Sequence, residues 1–168
     1  MSFNEYIAEY KKQLKKGAIQ RAYKGLMEYM LALRAHFEKV HPEFAVPGGL
    51  YFGYMDMTYF AIIPPGLKER QLKIAIVFIH ETCRFEAWLA AVNKQVQAKY
   101  WNLIKKNGWD QYHLVPELKG YDAVIDTVLV VEPDFSDLDA LTKLIESEVL
   151  EFIEDIEEFI TNKQARYK

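Results

Sequence analysis

His80, Glu81 and Cys83 set an imidazole, a carboxylate and the chain's single thiol within a few residues of one another. A thiol with a histidine base beside it is the raw material of a nucleophile, and a helix N-terminus next to it would lower its pKa. The three residues sit where the apolar run "LKIAIVFI" gives way to a stretch of helical spacing. No oxyanion motif lies nearby, and a packed, inert cysteine is the simpler reading. The four histidines, His36, His41, His80 and His113, and Cys83 lack the spacing of zinc ligands. The phosphate-cradling GxGxxG and Walker patterns and the GxSxG elbow are missing too. The sequence therefore assigns no catalytic residue, no metal ligand and no cofactor.

Asp56 and Asp126 each interrupt an apolar, strand-like run. Aspartate is depleted in strands because it is costly to bury and competes for backbone hydrogen bonds. A turn or bulge at "YMDM" explains Asp56, and an exposed edge position explains Asp126. The alternative is a pair of anchored carboxylates, with Asp56 on Arg84 or both on a divalent ion. A restriction-type nuclease would then need an acid-x-Lys triplet on the following strand to activate water, and "IAIVFIHET" does not supply one.

The stretch "HETCRFEAWLAAVNKQVQAKYW", residues 80 to 101, predicts a helix from about Arg84 to Lys106. At 100° per residue Phe85, Leu89, Val92, Val96, Tyr100 and Leu103 share one apolar face, while Ala87, Ala91 and Ala98 lie nearly opposite. Glu86, Asn93 and Gln97 form a polar ribbon between the two. Three readings stay open for it: a seam satisfied by loops, the wall of a ligand groove, or a dimer seam. In the groove reading Tyr54, Asp56, Arg84, Glu86, Asn93 and Gln97 line the site.

The elements that position these residues follow from spacing. Phe3, Tyr6, Ile7, Tyr10 and Leu14 line one side of a helix over residues 3 to 15, which Ser2 and Glu5 open as a capping box. A second helix runs from past Gly17 to about Val40, with Ile19, Ala22, Tyr23, Leu26, Met30, Leu33 and Phe37 inward, until "HPEFAVPGG" stops it. "LYFGYMDMTYFAII" reads as one long strand or two short ones. "QLKIAIVFI" is apolar on both alternating rows, so it is central and covered on both sides. "AVIDTVLVV" is a further strand, and a last helix runs from about Asp137 to Asn162 with Ser136 as its N-cap. The order α-α-β-β-α-β-α makes an α+β fold: a small, mainly antiparallel sheet packed with helices behind an N-terminal helical hairpin. A single domain spans residues 1–168, with residues 1–40 packing on a core of 50–168.

Composition bounds the rest. The chain has 168 residues, about half of them hydrophobic, with 11 Tyr and 10 Phe, which is ample for a core. A net charge of -3 argues against nucleic acid as the default partner. One cysteine cannot form an internal disulfide and suits a cytoplasmic setting. The opening "MSFNEYIAEYKKQLKK" is unlike a signal peptide, and no apolar run approaches the roughly 20 residues of a membrane span. Charge is uneven: Lys11, Lys12, Lys15, Lys16, Arg21 and Lys24 crowd the start, while residues 132 to 158 hold eleven acids against Lys143 alone. These are solvated faces or partner-binding ones. The aromatics Tyr51, Phe52, Tyr54, Tyr59 and Phe60 read first as core and interface residues, ahead of base-stacking ones.

At "KKGAIQRAYKGLMEYM", "GYMDMTYFAIIP" and "LKIAIVFIHETCRFEAWLAAVNKQVQAKYW" the chain resembles a bacterial family of stand-alone small proteins of unknown function, over nearly its whole length. That resemblance implies no activity and no site residue. The element order of the C-terminal half is similar to modules attached to restriction-type nucleases, a likeness of order alone. The expectation is a small ligand-binding or protein-binding regulatory module, as a homodimer or with a protein partner. The alternative is a metal-dependent nuclease-like or nuclease-associated protein.

Overall fold

Alternating apolar rows in the middle of the chain form a sheet, and the flanking amphipathic segments cover one side of it. The computed structural model describes residues 1–165. The elements are α1 (Phe3–Leu14), α2 (Ala18–Val40), β1 (Met57–Ile62), α3 (Pro65–Lys68), β2 (Leu72–Ile79), β3 (Arg84–Ala91), α4 (Lys94–Asn107), β4 (His113–Leu114), β5 (Ala123–Val130) and α5 (Leu138–Ala165). The sheet order is β1-β2-β3-β5-β4 and every pairing is antiparallel. The α+β class, the antiparallel sheet and the helical pair ahead of it agree with the sequence.

One element differs in kind. The helix expected from Arg84 begins only at Lys94, and residues 84–91 are a strand. Phe85, Ala87 and Leu89 fit a period of two as well as Phe85, Leu89 and Val92 fit a helix. Tertiary pairing breaks the tie, because β3 lies between β2 and β5 and is hydrogen-bonded on both edges. Ala87 makes no close approach to a second helix. It is fully buried beside Ile76 within the sheet.

Register aligns the core. Phe60, Ile76 and Ala87 form one cross-strand row, and Ile62, Ile74, Leu89 and Ile125 the next. Against them pack Met30, Leu33 and Phe37 of α2, Tyr100 and Ile104 of α4, and Ile145, Val149, Phe152 and Ile156 of α5. Each such side chain contributes about 1.5–3 kcal/mol by leaving water. Trp109, after α4, stacks on Phe159 of α5 with ring centroids 4.3 Å apart. Among the described residues no helix is long and apolar enough to cross a membrane.

The termini of the helices show which capping residues won. Ser2 and Glu5 close the expected capping box on α1. At α5 the cap is Asp137, whose Oδ1 accepts from Ala140 N at 3.0 Å. Ser136 is occupied by Asp134 instead, donating to its Oδ1 from both N and Oγ. The apolar side of α1 does not pack inward: the helix buries none of its residues. The inward row of α2 is likewise incomplete at its start: Ile19 and Ala22 are exposed, Tyr23 and Leu26 partly buried, and full burial begins only at Met27.

α2 and α5 are also joined by a polar clamp that the sequence did not reveal. His36 Nε2 and His41 Nε2 lie 2.8 and 2.6 Å from the two oxygens of Glu146. An ionised carboxylate only accepts, so each imidazole donates an N–H. Burial alone would raise the Glu146 carboxyl, but the hydrogen bonds and the charges of the two imidazoles together outweigh it and hold it below its ordinary value of 4.5. A carboxyl lowered by folding stabilises the fold fully above its unfolded value, and that contribution fades as pH falls through the lower folded one. Glu146→Gln should therefore lose about 1.5–3 kcal/mol in urea melts at pH 7. The deficit should shrink below pH 4.5. A variant as stable as the parent at both pH values would contradict the clamp.

Candidate functional site

A strand sends residues i and i+2 to the same face, so the spacing Arg84, Glu86, Trp88 brings three polar groups together on β3. They share the face opposite the helices. Tyr59, Val77, Glu86 and Val128 are cross-strand neighbours there, as are Ala61, Ala75, Trp88 and Asp126. Ala75, Val77 and Ala90 are buried. Yet they stand outside the cluster formed with the helices. Among the described residues, then, no helix covers this face. β2 is central, as expected, but its second row is sheltered by neighbouring side chains instead of a layer. Tyr51 adds to that shelter, its ring tilted 31° against that of Tyr59 with centroids 4.9 Å apart.

Glu86 is only 6% exposed. Arg84 Nε donates to its Oε1 at 2.6 Å, with Nη2 of the same guanidinium on that oxygen, and Trp88 Nε1 donates to Oε2 at 2.7 Å. Desolvating a carboxylate costs several kcal/mol unless a counter-charge and hydrogen bonds replace the water. Arg84 supplies the charge, and Trp88 fills the second oxygen. The reciprocal effect is on Trp88, whose indole is fixed across the open face.

Beside that indole lies a cavity of about 360 Å³ where β3 runs into α4, walled by Tyr59, Lys73, Trp88, Asn93, Lys94 and Gln97. Asn93 caps α4, its Oδ1 accepting from Val96 N at 2.9 Å. Gln97 is buried and donates from Nε2 to the carbonyls of Tyr121 and Ala123, both at 2.9 Å. Lys94 reaches the Tyr121 carbonyl at 2.9 Å and Asp122 at 3.6 Å. The cavity thus offers aromatic surface, two ammonium groups and the N-terminal end of a 14-residue helix, where the backbone carries partial positive charge.

The six residues expected to line one groove are not brought to one place. Asn93 and Gln97 line the cavity, while Arg84 and Glu86 lie further along β3 and act on it through Trp88. Tyr54 and Asp56 belong to the turn before β1. Tyr54 is 92% exposed. Asp56 Oδ1 accepts from Tyr54 N at 2.8 Å, so the turn reading of Asp56 holds. Gly53, at φ +69, allows that turn, because a Cβ there would collide with the Met57 carbonyl oxygen. Asp126 is level with Ala61, three strand spacings across the sheet and five residues along from Asp56, which puts roughly 20 Å between the two carboxylates. Asp126 faces His113 at 3.0 Å, and Arg84 holds Glu86 instead of Asp56.

His80 and Cys83 also lie elsewhere than expected. They flank the β2–β3 turn, and the thiol has no helix N-terminus beside it. Cys83 is exposed, at φ +49, with Sγ donating to the His80 carbonyl. Thr58 donates its hydroxyl to the Phe52 carbonyl and so accepts from His80 Nε2, each at 2.8 Å. Burial lowers the His80 pKa, with the Asp56 charge opposing it. The imidazole is a neutral strut for the turn.

Sequence reasoning missed Lys73 and Asp122 in the cavity. A signal for Lys73 was present: it is the one charged residue in the row Lys73, Ala75, Val77, Ile79. The carboxylate at the centre of the face is open to a direct check. Glu86→Ala leaves the half-buried Trp88 indole N–H and the Arg84 guanidinium without their partner and should cost about 1–3 kcal/mol in urea unfolding. It should also weaken the near-ultraviolet circular dichroism of tryptophan. Unchanged stability with an unchanged tryptophan signal would contradict the assignment.

A family model described as a domain of unknown function, DUF7000, matches residues 3–160. No curated protein and no solved structure matches the chain. The helix pair, the antiparallel sheet and the cavity at the start of α4 all lie within the matched span. The chain belongs to the DUF7000 family of domains of unknown function.

Proposed function

We propose that the chain is a cytosolic, single-domain binding module whose ligand is a small, flat anion held on the helix-free face of the sheet. One observation carries the reading: a buried carboxylate, Glu86, is spent on locking Trp88 beside an open cavity, on a face that carries no helix. The cavity is at the small end of the roughly 300–1,000 Å³ typical of ligand sites. An aromatic body would stack on Trp88 and Tyr59. Its carboxylate or phosphate would meet Lys73, Lys94 and the start of α4. The alternative, a metal-dependent nuclease-like or nuclease-associated protein, finds no support in Asp56 and Asp126, because β2 and β3 stand between the turn that carries Asp56 and the strand that carries Asp126.

Titration with benzoate, indole-3-acetate and nicotinate, each against its neutral amide, tests the reading through tryptophan emission and thermal shift. At least one carboxylate should bind saturably below about 1 mM, more tightly than its amide. Lys73→Ala or Lys94→Ala should weaken that binding about tenfold while leaving the unfolding midpoint of the free protein within error. If no probe binds, or if acid and amide bind alike and independently of the lysines, the reading fails.

A further inference from the structure

A second open cavity lies on the helical side, at the opposite end of the molecule from Asn93. It measures about 760 Å³ and is walled by Ile19, Tyr23 and Leu26 of α2, Phe78 of β2, and Phe135 and Leu138 at the entry to α5. Its lining is overwhelmingly apolar; Arg21 and Glu81 are the charged side chains that border it, with His80, Cys83 and the hydroxyls of Tyr23 and Tyr29. Meanwhile α1 shows the opposite defect. Phe3, Tyr6, Ile7 and Tyr10 share one side of this helix and are 77%, 57%, 48% and 59% exposed. One chain thus carries an amphipathic helix with no groove and an apolar groove with no helix.

The helix cannot drop into the groove of its own chain without breaking the joint that holds it. Gly17 takes φ +73, its N–H donates to the Leu14 carbonyl, and its own carbonyl accepts from Arg21 N. Gln20 Nε2 also donates to the Leu14 carbonyl, at 2.6 Å. With the joint held so, the apolar side of α1 stays exposed. We propose that the chain forms a two-fold dimer in which α1 of each copy lies in the apolar groove between α2 and the start of α5 of the other.

Charge and size favour that occupant. Lys11 and Lys12 end α1 and Lys15 and Lys16 follow, whereas Phe135 and Leu138 in the groove wall are set among Asp134, Asp137 and Asp139. Arg21 at the rim opposes this and Glu81 adds to it. The exposed apolar side of α1 amounts to about 500 Å². Two exchanged helices with their groove walls would bury about 2,000 Å², which is enough for a stable interface. A contact in which the same helix and the same groove are used by both copies closes on itself and leaves neither exposed.

Sedimentation equilibrium of the full chain tests the proposal. The wild type should have twice the chain mass of 19.7 kDa. Ile7→Glu with Tyr10→Glu should return it to the monomer mass with unchanged helicity, since α1 buries nothing in the monomer. Leu138→Glu, in the groove wall, should do the same. Mild oxidation of Ile7→Cys should give a covalent dimer that Cys83→Ser prevents, because Cys83 borders the groove. A wild-type monomer at about 100 µM would overturn the proposal, since an interface of that area holds together well below it. So would a dimer that survives the α1 substitutions. A monomer whose α1 binds anionic phospholipid vesicles would overturn it as well and assign the helix to a lipid surface.

Discussion

A sheet faced by helices on one side only must shelter its other side with its own side chains. That constraint organises this molecule. α2, α4 and α5 all pack against the face that holds Phe60, Ile74, Ile76 and Leu89. The central strands β2 and β3 nevertheless bury Ala75, Val77, Glu86 and Ala90 on the opposite face. Shelter there comes from Tyr59, Tyr51, Trp88 and Arg84, and it holds because the Glu86 carboxylate ties Arg84 and Trp88 down. A buried ion pair of this kind is weak as a source of stability, since desolvation offsets most of its attraction. Its value is positional: it gives a flat, apolar ring one orientation at the edge of a cavity. Structure and proposed function meet in that ring.

Most of the architecture was legible in the sequence, and the exception has a physical cause. Capping residues, proline stops and long periodic stripes located α1, α2 and α5 well, because these signals are local. The run "LKIAIVFI" identified β2 as central through its two apolar rows. β3 defeated the same reasoning. Its residues satisfy a period of two and a period near 3.6 together, and it continues almost directly into a true helix that extends the false stripe. Only pairing with β2 and β5 decides such a segment, and pairing is not written in the segment itself. The cap of α5 shows a smaller case of this: Ser136 and Asp137 are equally good caps, and Asp134 removes one of them from contention.

The site was legible in part for the same reason. Asn93 and Gln97 do stand at a wall of the cavity, and Glu86 does act on it, but the helical ribbon that joined them does not exist. On a strand, Glu86 pairs with Arg84 and Trp88 two residues to either side, a relation invisible at helical spacing. The clamp of His36 and His41 on Glu146 lay beyond reach because it joins elements more than a hundred residues apart, and so did the open groove along the first half of α2. That groove and the bare α1 are two ends of one incomplete packing, which a second copy of the chain would complete.

The account rests on the indole of Trp88 being held by a buried carboxylate. Hydrogen exchange of the Trp88 indole N–H, followed by nuclear magnetic resonance, reads that bond directly, with the indoles of Trp101 and Trp109 as internal references. The account expects slow exchange at Trp88, lost on Glu86→Ala while Trp101, bonded to the Val115 carbonyl, stays protected. A Trp88 indole that exchanges as fast as free tryptophan in the unaltered protein would contradict it.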